Sequence, residues 1–116
     1  RQIEKIVIAA LEDVKGKEIE VIDTKKLTPM FESIVVASGD SNRQVRSLAR
    51  SVTDKAREAG LEILSTEGEE AGEWVLVDLG EVVVHIMQPA IRNYYNLEEL
   101  WGGKGPARVR EAAASA

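Results

Sequence analysis

The stretch Glu73-Trp74-Val75-Leu76-Val77-Asp78-Leu79-Gly80-Glu81-Val82-Val83-Val84-His85-Ile86-Met87 decides the fold. Two runs rich in β-branched and large apolar residues flank Gly80-Glu81, and that spacing predicts a β-hairpin. Gly80 supplies the positive φ that a tight reversal asks of its backbone. Alternation puts Trp74, Leu76 and Asp78 on one face of the first strand, with Val75, Val77 and Leu79 on the other. With the reversal centred on Leu79-Gly80, Trp74 is expected opposite His85 and Leu76 opposite Val83. Neighbouring antiparallel strands also mean that their sheet is not purely parallel.

Working upstream, Leu61-Glu62-Ile63-Leu64-Ser65 is expected to form another strand, joined to the hairpin by the polar loop Glu67-Gly68-Glu69-Glu70-Ala71-Gly72. Val45, Leu48, Ala49, Val52, Ala56 and Ala59 before it make one helical stripe, with Gly60 as its stop. Ser41 stands as the N-cap of that helix, and Gln44 completes a capping box. Ser33-Ile34-Val35-Val36-Ala37-Ser38 reads as a strand buried on both faces, because its apolar run is nearly continuous. Glu18 to Asp23 alternates instead, as a strand with one wet face does, and Thr24 to Pro29 connects the two. Ile3, Ile6, Val7, Ala10 and Val14 predict an opening helix that Gly16 ends.

Downstream, Pro89 opens a short helix carrying Ile91, Tyr94 and Tyr95, and Leu97, Leu100 and Trp101 continue its spacing. Gly102-Gly103-Lys104-Gly105-Pro106 breaks the pattern. The order αββαβββα predicts an α/β domain: a mixed sheet of about five strands with flanking helices. Residues 1–101 form the single domain and residues 102–116 a C-terminal tail without visible core positions.

Composition narrows the chemistry. The 116 residues suit one core, and 44% apolar with 30% charged residues are the values of a folded domain. The absence of cysteine rules out disulfides and thiolate metal sites, and a lone histidine, His85, rules out a multi-histidine zinc site. No apolar run approaches the length that spans a bilayer, and charges interrupt the stripe of Arg1 to Ile6, unlike a signal peptide. A cytoplasmic protein is the expectation. The net charge of −5 is unevenly spread: Glu58 to Ile91 contains eight carboxylates and no lysine or arginine, whereas Arg43, Arg46, Arg50, Lys55 and Arg57 crowd one segment. This is not the dominant positive face of a general nucleic-acid binder. The acidic half suits a basic protein partner, although acidity also serves solubility.

Ser38-Gly39-Asp40-Ser41-Asn42-Arg43 resembles the turn that opens a nucleotidyltransferase site, where amides and a helix dipole cradle phosphate. That chemistry needs a carboxylate pair for magnesium, usually Asp-x-Asp on a neighbouring strand. Asp78 has no such partner, and Glu18 and Glu20 fall on an early, outer strand. A capped strand-to-helix turn accounts for the segment more simply. His85 reads as a core or half-core side chain, with no cysteine to activate and no Gly-x-Ser-x-Gly elbow to serve. Arg43, Arg46, Arg50 and Arg57 share the helix face opposite the apolar stripe, where a solvated face explains them more simply than an RNA contact. Trp74, Tyr94, Tyr95 and Trp101 suit interface anchors and core positions alike.

Taken in order, Ser38-Gly39 with Ser41-Asn42-Arg43, Glu67-Gly68, Glu73 to Gly80, Val82-Val83-Val84-His85, and Arg92 with Tyr94-Tyr95-Asn96-Leu97-Glu98-Glu99-Leu100-Trp101 resemble the ribosomal silencing factor (Iojap) family. The likeness runs from about Ile3 to Trp101. It implies a nucleotidyltransferase-like fold without catalytic carboxylates, hence no enzyme, cofactor or metal. It also implies binding to ribosomal protein fourteen of the large subunit, on the face that meets the small subunit. Subunit joining would be blocked sterically and translation repressed when nutrients are short. Homodimers are frequent in the family; ribosomal RNA would be a minor contact, and DNA and membranes none. On this resemblance, and on the mix of aromatic anchors with both charge signs, the partner surface is expected at Trp74, Asp78, Arg92, Tyr95, Glu98 and Trp101. The chain departs from the family at Glu32-Ser33-Ile34, where Asp-Tyr-Phe is usual, and at Gln44, where histidine is frequent.

Overall fold

Ser33–Ser38 lies inside the sheet with every residue buried, as its uninterrupted apolar character requires. The computed structural model describes residues 2–95, with side chains through residue 93. The expected helical continuation through Leu97, Leu100 and Trp101, the break at Gly102 to Pro106 and the tail 102–116 lie outside the described residues. Along the chain come α1 (Gln2–Asp13), β1 (Lys17–Asp23), β2 (Ser33–Ser38), α2 (Asn42–Glu58), β3 (Ser65–Glu67), β4 (Trp74–Asp78), β5 (Val82–Met87) and α3 (Pro89–Tyr95). The strands form one five-stranded sheet in the order β1-β2-β5-β4-β3. Among the described strands only β2 and β5 run parallel; the other pairs are antiparallel, so the sheet is mixed as expected.

α1 and α2 cover one face. Val7, Ala10 and Leu11 of α1 meet Val45, Leu48, Val52 and Ala56 of α2 over Val35, Ala37, Val75, Val77, Val84 and Ile86. Leu11 belongs to the stripe of α1 although the sequence reading passed over it. Ser41 caps α2 as predicted, its hydroxyl accepting from the Gln44 amide at 3.1 Å. Gln44 returns the bond one residue earlier than a standard capping box, its Oε1 accepting from the amide of Asp40 at 2.7 Å. The end of α1 differs from expectation: Lys15, at φ 60°, takes the left-handed position, and the Gly16 amide reaches back to Leu11 at 2.8 Å. Gly16 sits in a tight spot, since a Cβ there would lie 3.1 Å from the Leu11 carbonyl oxygen.

Two strand expectations need correction. The strand placed at Leu61 to Ser65 is shifted, with β3 occupying Ser65–Glu67. Leu61 and Ile63 belong instead to an irregular segment whose side chains pack against the helical-side core. The apolar alternation there reports burial rather than ladder pairing. The hairpin register is also displaced. Leu79 donates to the Val82 carbonyl at 3.0 Å, which makes Gly80-Glu81 the two-residue loop, with Gly80 at φ 88° in its first position. Trp74 therefore pairs with Met87 and Leu76 with His85, a slip of two residues from the expected pairing. An even slip keeps every side chain on its face, so Trp74 and His85 still share one.

The other face carries a smaller core: Phe31, Ile34, Val36, Trp74, Leu76, Val83 and Met87, with Ile22 and Ile91 packed against it. At the β1 edge the ladder shifts between Lys17 and Glu20, and Glu18 has φ 48°. Such a bulge twists an exposed edge away from pairing with other chains.

Candidate functional site

The smaller core is where the sequence's unusual polar residues meet. Trp74 is 5% exposed and His85 2%. Their strands place them diagonally, and the indole Nε1 donates to Nδ1 of His85 at 2.9 Å. The rings lie 5.8 Å apart at 51°. Since Nδ1 accepts, the neutral imidazole carries its proton on Nε2. Two polar groups that would each be costly alone satisfy one another inside the apolar cluster.

Arg92 of α3 is the second buried polar group, 7% exposed. Its Nη1 donates to Ser38 Oγ at 2.9 Å, and Nη2 stands 4.0 Å from a carboxylate oxygen of Glu20 on the edge strand. A buried guanidinium is tolerated only when its donors are used, so this residue fastens α3 to β2. The start of α3 is stitched from three sides at Gln88. The Gln88 amide donates to Glu73 at 3.0 Å, and its side chain donates to the Gly72 carbonyl at 3.2 Å and to the Asn42 side chain at the start of α2. The acidic loop is folded close against β4. A Cβ on Gly68 would sit 2.0 Å from the Trp74 carbonyl oxygen, at a φ of 87°. No other residue fits there.

Of the six predicted partner residues, the structure brings Trp74 and Arg92 to the same end of the sheet, beneath α3. Asp78 is elsewhere. It closes the other end of β4, half-buried, with Oδ1 accepting from the Gly80 amide at 2.9 Å. Four residues of strand put it about 13 Å from Trp74. Tyr95 ends α3, with its side chain outside the described residues; Glu98 and Trp101 also lie outside them. Ser38 and Glu20, considered above only for a nucleotidyltransferase-type turn and its carboxylates, support the site as partners of Arg92, and Gln88 supports it without any signal in the sequence. Ser38 and Arg92 are distant in sequence, and no local pattern announces such a pair.

At the Gly80 end a groove of about 590 Å³ opens among Ile3, Met30, Leu64 and Leu79. Among the described residues no group of three or more His, Cys, Asp or Glu side chains could hold a metal ion, and no helix is long and apolar enough to cross a membrane. The Arg92–Ser38 pair holds α3 to the sheet, Gln88 and Arg46 hold the acidic loop, and the Trp74–His85 pair ties β4 to β5.

This architecture has close counterparts. A crystal structure of a protein from Chromobacterium violaceum superposes with a TM-score of 0.86 at 59% identity, covering 90% of this chain and 88% of that one. A second, from Bacillus halodurans, gives a TM-score of 0.80 at 35% identity over 86% of this chain and 93% of that one. Among curated proteins, a ribosomal silencing factor from Chromobacterium violaceum is 58% identical over 97% of this chain and 93% of its own length. One from Bacillus subtilis is 39% identical over 88% and 86%. The chloroplastic protein Iojap of Zea mays is 29% identical over 86% of this chain and 43% of its own length. The family described as ribosomal silencing factor during starvation matches residues 1–115. From the sheet order to the last matched residue, the chain belongs to the ribosomal silencing factor family.

Proposed function

We propose that this chain binds the large ribosomal subunit through its ribosomal protein fourteen, sterically blocks joining of the small subunit, and so represses translation in the cytoplasm. The observation that carries the reading is the family membership over nearly the whole chain, with relatives named ribosomal silencing factors. The proposed partner surface comprises Trp74, Asp78, Arg92, Tyr95, Glu98 and Trp101. Within it Arg92 acts from beneath, by fastening α3 to β2, and Trp74 by filling the core against which Ile91 packs, while Tyr95, Glu98 and Trp101 make the contacts. Asp78 contributes from the hairpin end. The reading extends to self-association as a homodimer. Purified protein is expected to co-sediment with isolated large subunits and to be absent from joined ribosomes. Equal recovery with joined ribosomes would defeat the steric mechanism.

The alternative, a nucleotidyltransferase-like enzyme, is disfavoured by where the carboxylates are used. Asp78 is spent on the Gly80 turn, and Asp40, beside Gly39, is paired with Lys17. Calorimetry with ATP, CTP or UTP and magnesium is expected to give no binding at about millimolar nucleotide, a ceiling near −4 kcal/mol. A micromolar site would reverse that judgement.

A further inference from the structure

We propose that the N-terminal half of α2 carries a phosphate-binding stripe, formed by Arg43, Arg46 and Arg50, that grips the backbone of structured RNA. Spacings of three and four residues put these side chains on one face, over about 10.5 Å of helix. With Ser47 they line a shallow concavity of about 190 Å³.

The stripe differs from the rest of α2 in how its charges are used. Further along the helix the cations are paired, Lys55 with Asp13 at 3.0 Å and Arg57 with Asp54 at 3.9 Å. Arg57, grouped with the stripe by sequence, therefore separates from it. Among the described residues the guanidinium groups of Arg43 and Arg50 have no ion pair or hydrogen bond. Arg46 makes one bond, from Nη1 to the Glu70 carbonyl at 3.1 Å, which fixes its position and leaves its charge unbalanced.

Folding gives no reason for this arrangement. The first turn of α2 contains no acidic residue, so Arg43 faces the positive end of the helix dipole. Arg46 and Arg50, four residues apart, repel one another. Both features destabilise the helix, and among the described residues only the Arg46 bond to the Glu70 carbonyl works against them. An anion bound from outside would offset them. All three residues are arginine, whose planar fork matches phosphate oxygens two at a time.

Phosphodiesters repeat along a backbone, which suits a row of forks better than a single carboxylate does. The choice of RNA over an acidic protein segment rests on the ribosomal reading, since a factor seated on a ribosome meets RNA over much of that surface. The stripe itself does not depend on that reading. With a net charge of −5 and Glu69 and Glu70 on the adjoining loop, the contact is local, a second grip beside a protein anchor.

The test uses the double variant Arg43→Gln/Arg50→Gln, which removes two side chains without internal partners and is expected to keep the parental thermal midpoint. Binding is measured to a 20-base-pair RNA duplex, and separately to isolated large subunits, between 50 and 200 mM KCl. Three phosphate contacts give the parent a log–log salt slope of about −2.7 on the duplex. The double variant should be shallower by about 1.8 on both probes. A parent with no salt-dependent duplex binding overturns the proposal, as does a variant that keeps the parental slope. Poly-glutamate displacing the duplex more effectively than unlabelled RNA would assign the stripe to an acidic protein and overturn it equally. Duplex binding with the expected slope change, but no large-subunit binding by the parent, would sink the ribosomal reading and leave the stripe standing.

Discussion

Trp74→Ala is expected to remove most or all of the domain's stability. The side chain is 5% exposed and sits among Ile34, Leu76 and Met87 in the smaller core. Truncating a buried aromatic costs about 3–5 kcal/mol through lost transfer energy and the cavity left behind. Here the change also takes the indole donor from Nδ1 of His85, a buried acceptor, at about 1–3 kcal/mol more. The combined loss of about 4–8 kcal/mol takes more than half of a typical domain's roughly 5–15 kcal/mol at the middle of both ranges. Urea denaturation followed by circular dichroism measures the loss. Trp74→Phe retains a six-membered ring but loses the N–H and part of the indole volume, so a loss above the roughly 1–3 kcal/mol of the orphaned acceptor and below that of Trp74→Ala is expected. A Trp74→Ala protein with the parental urea midpoint would mean that the indole is not part of the core.

Tyr95→Ala and Glu98→Ala should do the opposite, leaving the fold intact while disabling the proposed function. Loss of a central interface side chain costs about 2–4 kcal/mol, roughly thirty- to a thousand-fold in affinity for the large subunit. Surface changes stay within about 0.5 kcal/mol of stability, so the thermal midpoint should move by only a few degrees. In a reassociation assay both variants should restore subunit joining. Binding and folding must be read on the same sample, because Trp74→Ala is expected to abolish binding by unfolding the domain. If both variants are folded and still block joining as the parent does, the patch that includes Tyr95 and Glu98 is not the site. The acidic loop Glu67 to Glu73, held against β4 by Gly68, would be examined next.

The order of elements was legible because each strong periodic signal reports a face that the sheet buries. The stripe of α2 and the unbroken run of β2 sit where their apolar residues require. Errors arose where burial and hydrogen bonding part company. Leu61 and Ile63 are partly buried without joining the ladder, and their alternation imitates a strand. The hairpin was misregistered because loop placement depends on which residues close the turn, and Leu79 and Val82 look like ordinary strand residues. The partner surface was less legible still. An arginine followed by tyrosines suggests an exposed patch, yet Arg92 is inside, bonded to a serine at the far end of another strand. Its burial depends on a strand crossing that only the assembled sheet creates. The grouping of Asp78 with Trp74 followed from shared face alone, and face does not encode distance along a strand.

The parallel pairing of β2 with β5 has a kinetic consequence. β1 can zip onto one edge of β2 as soon as both exist, but the other edge waits for Val82 to Met87, after α2, β3 and β4 have been made. During synthesis, therefore, an apolar strand meant for the middle of a sheet stands with one edge open until nearly all of the described chain has emerged. Pairings so remote in sequence close slowly, and open apolar edges attract other chains meanwhile. A nascent chain that stops after β4 has no native way to cover β2, so fragments of that length should aggregate while the completed domain does not.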